Sequence, residues 1–149
     1  MGQYDQSLRL LVVDTDEALR TELRSLQHAG IQVVFVEASM LADPAAPMAE
    51  RDVIVICVET AAALALVASV CERADAPPVI AIAAAGFDHK PIEHVLLLAE
   101  VRGAVATLPK PIEAPELVAA ATRAQARFSL RQTHALHEAG VLQNQIIVR

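Results

Sequence analysis

The sequence predicts a doubly wound α/β domain: a five-stranded parallel sheet with helices packed on both faces. Three observations predict it. Short apolar runs alternate strictly with segments whose apolar residues recur every three to four positions. The runs are apolar on both faces rather than alternating, which is the pattern of strands covered on each side. Gly30, Gly103 and the pair Pro77-Pro78 fall between these units, where the chain must stop one element and begin another.

Taken in order, Leu8 to Val13 (LRLLVV) reads as the first strand. Leu19, Leu23 and Leu26 then repeat at i, i+4, i+7 along a helix, and Gly30 stands where a helix C′ glycine belongs. Ile31 to Val36 is the second strand. The stretch after it, with Pro44 and Pro47, has little pattern and room for only a short or irregular helix. Val53 to Val58 is the third strand and Ala61 to Val70 an Ala/Leu/Val-rich helix. Val79 to Ala83 is the fourth strand, followed by a helix whose face is marked by Ile92, Val95, Leu96 and Ala99 and which ends near Gly103. Ala104 to Leu108 is the fifth strand. Pro115, at a plausible N1 position, opens a last, long helix from about Ala114. Among doubly wound orders, the flavodoxin-like order 2-1-3-4-5 brings the carboxyl ends of strands one, three and five together, and ligand chemistry concentrates at such a place.

Composition narrows the function. The chain has 149 residues, 54% hydrophobic and 20% charged, enough for one globular domain with an extension; we expect residues 1–125 to form the domain and 126–149 a helical linker. Aromatics are 3% with no Trp, so base-stacking platforms are not expected. No run approaches the roughly 18 uninterrupted apolar residues of a membrane span. The N-terminus carries neither a basic nor an apolar leader region, so a cytoplasmic location is expected. Residues 1–113 hold eight basic and sixteen acidic side chains, a net −8, whereas residues 114–149 hold four and two, a net +2. An acidic body does not favour phosphate backbones.

Four segments carry a resemblance: LLVVDTDEALR (Leu10 to Arg20), DVIVICVE (Asp52 to Glu59), PPVIAIAA (Pro77 to Ala84) and RGAVATLPKPIEAPEL (Arg102 to Leu117). In this order and spacing the chain resembles the response-regulator receiver domains, over about its first 125 residues. The resemblance implies an aspartate phosphoacceptor at the end of strand three, an acidic pair after strand one that helps to hold magnesium, a Ser or Thr after strand four, an aromatic switch residue on strand five, and a Lys-Pro after it. Most of these are replaced here. Cys57 stands at the phosphoacceptor position, Asp14 is followed by Thr15, Ala83 replaces the hydroxyl, and Thr107 replaces the aromatic ring. Lys110-Pro111 is retained. A thiol cannot form the acyl phosphate, and two of three acidic magnesium ligands are missing. No cofactor and no metal site are expected. Asp16 is read as a cap of the following helix, and Lys110 as a structural lysine held by Asp14 or by strand-end carbonyls.

Cys57 has two readings. One is a small apolar filler at the end of a buried strand; the other is a redox or acyl-accepting thiol whose pKa Lys110 could lower. Cys71 is read as packing. His134 and His137, at i, i+3, lack the carboxylate or Cys partners of a metal site.

Beyond the domain, Leu117, Ala121, Ala124 and Phe128 follow the 4-3-4 spacing of a coiled-coil seam, and Arg123, Arg127 and Arg131 lie on one stripe. We expect a homodimer through this helix, with Phe128 as its anchor. The segment Ala126 to Arg149 looks like the linker that joins a degenerate receiver to an ANTAR module; RNA would be a partner only if that module followed Arg149. The function expected from the sequence is a non-phosphorylatable signalling and protein-interaction module, not an enzyme, which meets a sensor or regulatory protein. The alternative is a thiol-dependent enzyme or redox sensor built on Cys57.

Overall fold

A computed structural model describes residues 8–13, 17–43, 52–73 and 76–127. Its strands and helices alternate along the chain. They are β1 (Arg9–Val13), α1 (Glu17–His28), β2 (Gln32–Phe35), α2 (Ala38–Ala42), β3 (Asp52–Cys57), α3 (Ala61–Cys71), β4 (Val79–Ala83), α4 (Ile92–Val101) and β5 (Ala106–Pro109). A last helix, α5, follows over residues 114–127. The strands form one parallel sheet in the order β2-β1-β3-β4-β5, which is the flavodoxin-like order expected.

Each strand sends alternate side chains to opposite faces, and the two faces make two cores. On one, Leu10, Val12, Val53, Val55, Ile80 and Ile82 meet Leu19, Leu23 and Leu26 of α1 and Leu117, Val118 and Ala121 of α5. On the other, Leu11, Ile54, Ile56, Val79, Ala81 and Ala83 meet Leu64, Val67 and Val70 of α3 and Val95 and Ala99 of α4. Covering both faces is what allows β4, and β3 from Val53 on, to be apolar at every position.

Helix ends follow local chemistry. After α1, Ile31 N–H bonds the Leu26 carbonyl at 3.0 Å and Gly30 N–H the Gln27 carbonyl at 3.1 Å. Gly30 sits at φ 96°, the left-handed turn that a residue with a Cβ resists. Thr60 caps α3 by accepting the Ala63 N–H at 3.1 Å. Helix α5 begins one residue earlier than its proline suggests: Leu117 N–H bonds the Glu113 carbonyl at 3.2 Å, which makes Glu113 the N-cap and places Pro115 at N2. Strand β5 is shifted towards its C-terminus relative to the expected 104–108, yet Val105 N–H still reaches the Val79 carbonyl at 2.8 Å. Helix α2 has five residues, the short element expected there.

One expectation about α5 is corrected. Leu117, Ala121 and Ala124 are buried in the domain's own core. Apolar area already withdrawn from water inside one chain is not there to be buried between two. The seam of Leu117, Ala121, Ala124 and Phe128 is therefore not an exposed stripe along residues 114–127, and Phe128 lies outside the described residues. Residues 128–149, with His134, His137 and Arg131, also lie outside them.

Candidate functional site

Parallel strands end together, so the carboxyl edge of the sheet gathers the loops that follow β1, β3, β4 and β5. The ladders align Val13 with Ile56, Cys57 with Ile82, and Ala83 with Pro109. Of the six expected site positions the structure brings Cys57, Ala83 and Lys110 to this edge, while Thr107 lies further back on β5, paired with Ala81. Asp14 and Thr15, together with Asp16, lie outside the described residues.

Cys57 ends β3 half-buried, so it is less enclosed than a core filler. It packs against the core shared with α1 and α5. It also lines a cleft of about 550 Å³ together with Val13, Arg20, Glu37, Glu59 and Thr60. Ala83 ends β4 fully buried, and its methyl belongs to the core under α3 and α4. No hydroxyl faces the cleft from that position. The Ala83 carbonyl accepts the Lys110 N–H at 2.8 Å, which fixes the backbone at the start of the β5–α5 loop. The Lys110–Pro111 peptide bond is cis.

Lys110 reaches inwards. Its side chain is 7% exposed, and its Nζ lies 3.1 Å from Oε1 of Glu59, whose side chain is 45% exposed. A nearly enclosed ammonium is costly without a carboxylate in reach. The structure thus gives Lys110 a carboxylate partner from the β3–α3 loop that the sequence reading did not name. The signal was present: Glu59 lies two residues past the end of β3, where side chains converge. Lys110 also lines a second cleft, of about 400 Å³, with Glu22, Ala84, Pro111 and Ile112. Cys57 and Lys110 line different clefts.

Thr107, on the edge strand β5, donates its hydroxyl to Oε1 of Glu100 on α4 at 3.2 Å. A threonine in place of an aromatic ring cannot swing between a buried and an exposed position as a large ring can; here it ties the edge strand to the helix beside it. Cys71, at the far end of α3, is unrelated to this row. Burial, and then the nearby Glu72 carboxylate, push its thiol up from an ordinary 9.0 to about 11. Among the described residues, no group of three or more His, Cys, Asp or Glu side chains is placed to hold a metal ion.

Comparison with known proteins gives one family and one set of folds. The family described as "Flagellar regulatory protein FleQ" matches residues 9–126. Curated proteins yield no match. Among solved structures, the beryllofluoride-activated receiver domain of nitrogen regulatory protein C is 29% identical, with a TM-score of 0.61, over 81% of this chain and 98% of that one. The receiver domain of NtrX from Brucella abortus is 24% identical, with a TM-score of 0.60, over 78% and 98%. The chain spans 28% of the longer NtrX structure from the same organism, at 23% identity and a TM-score of 0.66. The likenesses to NtrX bear on the fold alone. No described helix is long and apolar enough to cross a membrane.

Proposed function

The chain belongs to the family described as flagellar regulatory protein FleQ, and from that premise we propose that its receiver-like domain signals without phosphoryl transfer. A response-regulator receiver-like domain of signal transduction is the coarse identity, on the fold and its relatives. The finer reading rests on one observation: at the carboxyl edge of the sheet a half-buried thiol, Cys57, ends β3 where phosphoryl transfer would need a carboxylate. Ala83 and Thr15 remove a hydroxyl and one acid from the same place. Phosphoryl transfer depends on positioned charge at each of these points, so no single replacement substitutes for the set. The domain acts instead as a binding module, the regulatory part of a regulator of the flagellar kind named by its family. Its partner is a sensor or regulatory protein.

Incubation with acetyl phosphate and magnesium tests this. The intact mass is expected to stay unchanged, and a gain of one phosphoryl group would overturn the reading. The antitermination reading rests on residues 126–149, of which 128–149 lie outside the described residues, and nothing in the described domain favours it. A thiol-dependent activity has one observation behind it, the place of Cys57 in the larger cleft; its reactivity is taken up below.

A further inference from the structure

The two edges of the sheet, β2 and β5, are finished differently. Successive residues of a strand point their backbone groups to opposite sides, so one ladder bond fixes the direction of the rest. Val36 N–H meets the Val12 carbonyl at 2.9 Å, so Val33 points its own N–H and C=O away from the sheet. There the Gln27 side chain donates Nε2 to the Val33 carbonyl at 2.9 Å. A side chain laid on an edge carbonyl blunts that edge against a further strand. At β5, Val105 N–H meets the Val79 carbonyl at 2.8 Å, which turns Ala106 and Leu108 outwards. Ala106, Thr107 and Leu108 are each half-buried rather than enclosed. Among the described residues no side chain is bonded to the outward N–H and C=O groups of Ala106 and Leu108. The strand itself has no charged side chain. On its α4 side the exposed Glu100 takes the Thr107 hydroxyl, whereas Ala106 and Leu108 pack towards the α1/α5 core. Arg102 comes before the strand begins.

We propose that the β5 edge takes an extended segment of a partner protein as a further, antiparallel strand, with a Lys or Arg of that segment facing Thr107 and Glu100. Opposite Ala106 and opposite Leu108 the segment exchanges paired N–H···O bonds, and the residue between them projects beside Thr107 on the α4 side. A second copy of β5 fits less well. A two-fold axis at Thr107 would bring two Glu100 carboxylates together, and like charges opposite one another oppose strand pairing. A basic side chain meets the carboxylate instead. Strand addition extends the reading of the domain as a binding module, and it does not depend on the missing phosphoacceptor.

Amide NMR of the full chain, titrated with the capped peptides Thr-Val-Lys-Val-Thr and Thr-Val-Glu-Val-Thr, tests strand addition. With the lysine peptide, the Ala106 and Leu108 amides are expected to shift saturably and to exchange more slowly with solvent, while those of Val33 and Phe35 on β2 stay still. The glutamate peptide is expected to bind at least about tenfold more weakly. Glu100→Lys should invert that preference, a change that loss of the Thr107 contact alone would not produce. Ala106→Pro removes an outward donor at a place where edge strands tolerate proline. It should abolish the shifts and leave the rest of the spectrum folded. Silence of wild type towards the lysine peptide at millimolar concentration overturns the assignment. So do equal affinities for the two peptides, shifts centred on β2, or a folded Ala106→Pro chain that binds as wild type does. If Ala106→Pro does not fold, Glu100→Lys decides, and an unchanged preference overturns the assignment. A gain of mass with acetyl phosphate bears on the proposed function alone, so the two readings fail separately.

Discussion

Cysteine chemistry at this fold is governed by depth. Cys71 lies against the turn that ends α4: a Cβ placed on Gly103 would come within 2.7 Å of the Cys71 Cβ and 2.9 Å of its sulfur. Desolvation there, with Glu72 adding to it, raises the thiol to about 11. The folded chain thus holds this proton more tightly than the unfolded chain. Any stability linked to it is complete below pH 9 and is lost as pH rises towards about 11. Alkylation of native protein mapped by mass spectrometry should find Cys71 slow at neutral pH, accelerating only above pH 9. Fast labelling of Cys71 at pH 7 would contradict the burial argument. The same map decides the thiol reading of Cys57, which survives only if Cys57 labels fast at neutral pH. From the sequence, both cysteines could be placed on their elements, since periodicity assigns the element. Their exposure could not be read, because it depends on how the loops of other strands close over the edge.

At the scale of elements, α5 shows where sequence legibility ends. Pro115 placed its start within a residue, but its first N–H is satisfied from 92 positions away: Ala114 donates to Oε1 of Glu22 on α1 at 2.8 Å. A carboxylate at a helix N-terminus both accepts an orphan N–H and faces the positive end of the helix. Glu22→Ala should lower stability by about 1 kcal/mol in urea unfolding, and Glu22→Gln by less. An unchanged urea midpoint in Glu22→Ala would show that water replaces the carboxylate at no cost. The same limit applies to Lys110. Its position on the β5–α5 loop was legible in the Lys-Pro dipeptide, whereas Glu59 as its partner depends on β3 and β5 flanking β4. Local pattern fixes elements; pairing across strands is a property of topology.

At the scale of the molecule, burial decides what α5 contributes. Leu117 is fully enclosed, so Leu117→Ala is expected to cost about 2–5 kcal/mol of unfolding free energy through the cavity it leaves. In sedimentation at tens of micromolar, the folded Leu117→Ala chain should match wild type in mass. A specific loss of dimer mass with unfolding unchanged would return Leu117 to the seam. Self-association remains a proposal for residues 128–149, with Phe128→Glu as its probe. The two-sided core was readable from uninterrupted apolar runs, whereas the strand order was one choice among the doubly wound orders. The seam was misassigned because 4-3-4 spacing marks any helix face that meets apolar surface, and it does not say whether that surface belongs to the same chain.

The two cores also differ in how much of the chain each must wait for. The residues that close the α3/α4 face run from Leu11 to Ala104, while the opposite face draws on Leu8 at one end and Ala121 at the other. A chain emerging from the ribosome can therefore seal one side of its sheet while the other still lacks its lid. During that interval the part of the face that α1 does not cover awaits α5, an apolar surface open to any chaperone or neighbouring nascent chain that reaches it first.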